Sequence, residues 1–193
     1  MDYIDPCVEN PGNEILEKAQ EIGWKDPTTY NSKILKADDW GELKRKISKF
    51  RDNYTLLIFS GGNEKLNRKA VSDTRIDILL HPEKGRKDSG FDEPMAKKAS
   101  KNNVALGLDF SEMPESQKKR VHLLSKWRKN LRLCEKHNTP FLITTNPREK
   151  YDLRAPRDLK AFIDSLDYNG AKALKKSQEI VQKNEEKLNE GEE

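Results

Sequence analysis

With 193 residues, 36% charged and 34% hydrophobic, the chain has room for one well-packed domain and too little for two. No apolar run approaches the roughly 18 residues of a membrane span, and the opening MDYIDP lacks the basic start and apolar middle of a secretory leader, so a soluble, cytoplasmic protein is expected. The net charge of +4 hides a segregation: residues 84 to 160 carry 19 cations and 10 anions, a surplus of 9, whereas the rest sums to −5. Lys and Arg clustered in this way fit either a polyanionic partner, bound by release of phosphate counterions, or a solvated helical face.

Short apolar runs alternate with helical patterns along the chain. Strands are predicted at Tyr3–Val8, Ser32–Lys36, Tyr54–Ser60, Ile76–Leu80, Val104–Phe110 and Pro140–Thr145. Helices are predicted at Glu14–Ile22, Asp39–Arg51, Glu64–Ser72, Asp92–Lys101, Glu115–His137 and Pro156–Ser165, with another after Gly170. Such alternation implies parallel strands buried on both faces and joined by crossover helices, which leaves a barrel and an open doubly wound sheet both open. In the helix at Glu115–His137, Val121, Leu124, Trp127, Leu131 and Cys134 recur at spacings of 3 and 4 and form an expected core stripe. Trp127 is therefore read as packing and not as a base-stacking platform. The many cations on the rest of this helix are either solvated or RNA-facing. Residues 1–170 are expected to form one α/β domain. Residues 171–193, where acids accumulate and apolar residues thin, are expected to be a helix followed by a frayed tail.

In parallel α/β folds the working face lies at the C-terminal ends of the strands. Those ends carry Asp5 and Cys7, Lys36, Gly61 and Gly62, His81, Asp109 and Ser111, and Thr144 to Asn146. Gly61 and Gly62 either expose backbone amides to a phosphate at a helix start or supply tight turn geometry alone. Cys7 and Cys134, the only cysteines, are too few and too far apart for a metal clasp or a disulfide framework, and both are expected to be reduced and buried.

The blocks GGNEKLNRKAV, RIDILLHPE, GRKDSGFD, KNNVALGLDFS, PFLITTN and LRAPRDLKAFI, in that order from about Leu56 to about Ile163, resemble the family of archaeal ribonuclease P protein component 3. The eukaryotic counterpart of that family is the 30-kilodalton subunit of the same enzyme. The resemblance implies an irregular TIM-barrel-like α/β fold related to the polymerase and histidinol phosphatase phosphoesterases. It also implies a subunit that supports a catalytic RNA, with Mg2+ serving that RNA, in removing the 5′ leader of precursor transfer RNA. Implied partners are the ribonuclease P RNA, precursor tRNA within the complex, the small processing subunit with which component 3 forms a heterotetramer, and the other ribonuclease P proteins. For RNA contact the expected residues are Arg68 and Lys69, Arg75, Lys84, Arg86 and Lys87, and Arg154 and Arg157.

The competing enzyme reading is a metal-dependent phosphoesterase of the same barrel superfamily. Its hydrolytic relatives place a pair of histidines separated by one residue in a first strand that here reads YIDPCV. His81 alone of the three histidines stands at a strand end, so Asp5, His81 and Asp109 are at most remnants, and neither a catalytic group nor a bound metal is expected in the isolated chain. A third reading is a protein-binding module whose basic surface is incidental.

Overall fold

The computed structural model describes residues 3–9, 11–25 and 30–190, with side chains through Glu186. Its centre is a five-stranded sheet of β1 (Ser32–Leu35), β2 (Leu56–Ser60), β3 (Ile78–Leu80), β4 (Ala105–Asp109) and β5 (Phe141–Thr144). Every neighbouring pair is parallel, and the strands lie in sequence order from β1 to β5. A doubly wound sheet reverses its strand order at a switch point; this one never reverses, so the irregular barrel-like reading is the one realised.

Because the strands progress in one direction and right-handed crossovers are nearly obligatory, the connecting helices fall on one face. These are α2 (Trp40–Phe50), α3 (Glu64–Ala70), α4 (Glu93–Asn102) and α5 (Gln117–His137). With α1 (Asn13–Glu21) and α6 (Pro156–Asp164) they enclose the larger core, in which Leu57, Phe59, Leu79, Leu106 and Ile143 meet Leu43, Ile47, Met95, Trp127 and Leu131. Alternate residues of the strands, Leu56, Ile58, Ile78, Leu80, Ala105 and Leu142, point to the opposite face and form a second core with Ile4, Cys7, Tyr30, Ile180 and Val181. The barrel interior is thus filled from outside the sheet, by the N-terminal segment and by α7 (Gly170–Glu190).

One expectation changes here. The predicted first strand Tyr3–Val8 does not join the sheet: only Tyr3 pairs, in an isolated parallel bridge with Trp24, and Ile4 and Cys7 serve as plugs for the inner face. The helix expected after Gly170 runs to Glu190, with Ala173, Leu174, Ser177, Ile180, Val181 and Asn184 buried. Asn184 Nδ2 donates to Thr55 O at 2.9 Å and to Asp77 Oδ1 at 2.8 Å, which fastens the helix beside the starts of β2 and β3. Residues 191–193 lie outside the described part.

The predicted helix limits agree with local chemistry. Asp39 caps α2 by accepting from Glu42 N at 2.8 Å, and Asp92 caps α4 by accepting from Met95 N at 3.0 Å, with Pro94 in its first turn. Asn103 and Asn138 end α4 and α5 in the left-handed conformation. The α5 stripe holds for Trp127, Leu131 and Cys134, which are buried, and fails at Val121, which is 60% exposed. Trp127 is packing, as expected, and its Nε1 donates to Glu83 Oε1 at 3.1 Å. Both cysteines are buried and unpaired, and burial pushes each thiol up.

Candidate nucleic-acid interface

The strand ends gather two polar clusters. In the first, His81 Nε2 lies 2.8 Å from Asp109 Oδ2 while its Nδ1 lies 3.1 Å from Ser60 Oγ. Asp109 also accepts from Asn146 Nδ2 at 2.6 Å, from Ser111 N at 2.9 Å and from Ser111 Oγ at 2.7 Å. His81 has φ 50 and Asn146 φ 41. A positive φ in the residue before a proline is costly, about 1–3 kcal/mol for such sparsely populated conformations, and the bonds to Ser60 and Asp109 hold His81 there. The second cluster surrounds Asp5, which accepts from Thr144 Oγ1, Thr145 Oγ1, Thr145 N at 2.9 Å and Cys7 N at 3.3 Å. Burial raises the Asp5 carboxyl, and the two threonine hydroxyls act against that rise. This cluster binds the N-terminal segment to the end of β5.

The three groups read as metal remnants therefore separate. His81 and Asp109 are bonded directly, whereas Asp5 joins them only at a distance, through Thr144 Oγ1 and Asn146. His81, Asp109 and Glu112 bring one ligand atom each within 4.8 Å of one another, but Asp109 already accepts from three side chains and one backbone amide, and Glu112 Oε1 accepts from Lys84 Nζ at 2.8 Å. A cation there would have to displace hydrogen bonds that are already made.

Beside these clusters the glycine turn and the cation loop are tied together by Asn67, which is fully buried on α3. Its Oδ1 accepts from Gly62 N at 3.1 Å, and its Nδ2 donates to Pro82 O at 3.1 Å and Gly90 O at 3.0 Å. The glycines follow from this closeness. A Cβ on Gly61 would lie 2.4 Å from Asn67 Oδ1, and one on Gly90, at φ 64, would lie 1.7 Å from Pro82 O. Of the two roles open to Gly61 and Gly62, the structure selects turn geometry: Gly61 N donates to Leu80 O at 2.8 Å and Gly62 N to Asn67, so neither amide is offered to a phosphate.

The expected RNA-contact residues fall into three groups. Arg68, Lys84 and Arg86 surround the loop but have carboxylate partners: Arg68 sits between Glu64 and Asp92, Lys84 meets Glu112 at 2.8 Å, and Arg86 forks onto Asp88 at 2.6 Å. The Arg86 fork holds Asp88 down to about 2, so that pair stays ionised at neutral pH. Lys87 in the same loop is exposed with no carboxylate partner among the described residues, and Lys69 leans on the Trp40 ring at 5.7 Å. Arg75 is elsewhere; it precedes β3, at the opposite end of the strands from His81, and clamps Asp73. Arg154 and Arg157 stand at the start of α6, Arg154 over the Phe110 ring at 5.9 Å and Arg157 89% exposed in its side chain.

The long helix supplies cations that the chosen set omitted. Lys118, Arg128, Lys129 and Arg132 on α5 are exposed, lie within about 100° of one another around a helix turning 100° per residue, and form no close ion pair among the described residues, although the charge of Lys129 reaches Asp88. Exposed Val121 lies in the same arc. Sequence carried the signal, since α5 has one acid, Glu135, among its many cations, but it does not say which cations lack a partner.

The family model described as RNase P subunit p30 matches residues 7–189. Ribonuclease P protein component 3 of Methanocaldococcus jannaschii is 37% identical over 165 residues, covering 85% of this chain and 70% of that protein. The component 3 of Methanococcus maripaludis strain C7 is 31% identical over 155 residues, covering 79% and 67%. A chain in a cryo-EM structure of archaeal ribonuclease P with mature tRNA superposes with a TM-score of 0.76 at 32% identity, covering 86% of this chain and 72% of that one.

Proposed function

Because the chain belongs to the ribonuclease P subunit p30 family, we propose that it works as a protein subunit of ribonuclease P in transfer RNA processing, with catalysis left to the RNA and with Mg2+ bound by that RNA. The single observation that carries this reading is the match, over most of both chains, to a chain from archaeal ribonuclease P with mature tRNA. Its partners are then the ribonuclease P RNA, precursor tRNA held in the complex, the small processing subunit and the other protein subunits. The His81, Asp109 and Ser60 network is read as support for the loop: His81 fixes the end of β3, and the isolated chain is proposed not to be catalytic.

RNA contact is assigned to the basic residues of the loop and of α3, α5 and α6. Lys84, Arg86 and Lys87 are those of the loop, Arg68 and Lys69 those of α3, and Arg154 and Arg157 those at the start of α6, together with the cationic arc of α5. Cations already on carboxylates exchange one partner for another when a phosphate arrives; those of α5, with Lys87, have no such exchange to make. Arg75 remains a candidate contact for a different RNA segment, because its end of the sheet faces away from the loop.

The test is replacement of Lys84, Arg86 and Lys87 together by Ala. The thermal transition should move little, since exposed ion pairs contribute about 0 to 1 kcal/mol each. Cleavage of precursor tRNA by reconstituted enzyme at low magnesium should fall, and the salt slope of RNA binding should lessen by about one per lost phosphate contact. Wild-type cleavage and slope in a folded triple variant would move the contact surface to α5 and α6.

A further inference from the structure

A cavity of about 480 Å³ opens beside the His81 cluster, between β1, α2 and the ends of β2, β3 and β5. That is the size range of small-molecule sites. Its walls present five basic side chains against two acidic ones. Three of the cations are already engaged: Lys33 meets Glu9, Lys46 meets Glu42 at 2.6 Å, and Lys84 meets Glu112 at 2.8 Å. The other two, Lys36 and Arg148, line the cavity with no carboxylate partner among the described residues. Polar groups of Ser60, His81 and Asn146 line it beside the strand ends, and Ile34 and Phe50 form an apolar wall.

We infer that this cavity binds a nucleoside carrying a terminal phosphate, with the phosphate between Lys36 and Arg148 and the base against Ile34 and Phe50. Two cations without partners in one cleft suit a phosphate dianion, and the planar fork of Arg148 can take two of its oxygens. The apolar wall gives a base something to cover that inorganic phosphate lacks. A metal ion fits less well, because the acidic oxygens of the cleft already accept hydrogen bonds and the unspent charge is positive. The cavity's dimensions limit the ligand to about one nucleotide, which is supplied either free or as the phosphorylated end of an RNA. The inference does not rest on the subunit role, and its test needs no ribonuclease P RNA.

Calorimetric titration of the full chain in low salt compares adenosine 5′-monophosphate with adenosine. The monophosphate should bind about tenfold or more tightly than adenosine. The double variant Lys36→Ala, Arg148→Ala should lose about tenfold or more of that affinity with its melting unchanged, both side chains being exposed. A charge-matched control, Lys98→Ala with Lys101→Ala on α4, should bind as wild type does. A 5′-phosphorylated oligoribonucleotide that displaces the monophosphate, when its dephosphorylated form does not, identifies an RNA end as the source; displacement by free nucleotides alone identifies a free nucleotide. Both outcomes uphold a phosphate site. Equal binding of monophosphate and adenosine, no binding of either, or an equal loss in the control pair overturns it.

Discussion

Replacing Asn67 with Ala lowers stability by about 3–5 kcal/mol. The change leaves Gly62 N, Pro82 O and Gly90 O without their partner, and each buried group left unpaired costs about 1–3 kcal/mol. A chain of this size loses about 2–4 °C of melting temperature per kcal/mol, so a fall of about 10 °C is expected. Asn67→Asp should also destabilise, because it keeps the acceptor for Gly62 but turns an oxygen toward two carbonyls. Exposed Lys65, two residues away, should tolerate Ala within about 0.5 kcal/mol. Thermal melting decides: an Asn67→Ala variant within about 2 °C of wild type would mean that the glycine turn and the cation loop do not depend on this residue. Because Asn67 also sets the distance between them, the variant should activate RNA poorly even below its melting point.

The second large effect is the salt dependence of RNA binding. If about six of the surface cations reach phosphates, affinity should fall by about 10³ between roughly 50 and 200 mM salt, with a log-log slope of about −0.7 to −0.9 per phosphate neutralised. Neutralising Lys118, Arg128, Lys129 and Arg132 on α5 should flatten this slope by more than neutralising Arg68 and Arg75, whose guanidinium groups already face carboxylates. Filter binding across a salt series reads both quantities. A flat response in the wild type would place the RNA contact outside the basic surface altogether.

The extent to which the sequence foretold this arrangement follows from the range over which each force acts. The five strands and seven α-helices of the described residues are local events, set by apolar runs and by caps such as Asp39 and Asp92 within a few residues of the helices they start. The family resemblance, carried by the ordered blocks from Leu56 to Ile163, supplied the barrel-like path that alternation alone left open. What stayed hidden depends on distant partners. YIDPCV has the composition of a strand, yet Asp5 is tied to Thr144 and Thr145, about 140 residues away, and Ile4 and Cys7 plug the inner face. Ile180 and Val181 look sparse in an acidic segment but meet a sheet face that no crossover helix covers.

The candidate site divides in the same way. Its location at the strand ends was legible from Gly61, His81, Asp109 and Asn146, because polar residues following buried strands mark that face. The electrical state of the cations was not: Arg68 meets Asp92 and Lys84 meets Glu112, at separations of 24 and 28 residues, and no pattern in the sequence announces such pairs. Asn67 in NRKA reads as one more polar residue of a basic helix, and only the approach of two loops gives it three partners.

Cleavage of precursor tRNA at low magnesium, by ribonuclease P RNA with its other protein subunits and with or without this chain, tests the central claim most directly. The account predicts that the chain alone cleaves nothing, whatever divalent ion is added, and that adding it to the RNA-containing mixture raises the cleavage rate. Turnover by the RNA-free chain, or a rate that does not change when the folded chain is added, would contradict it.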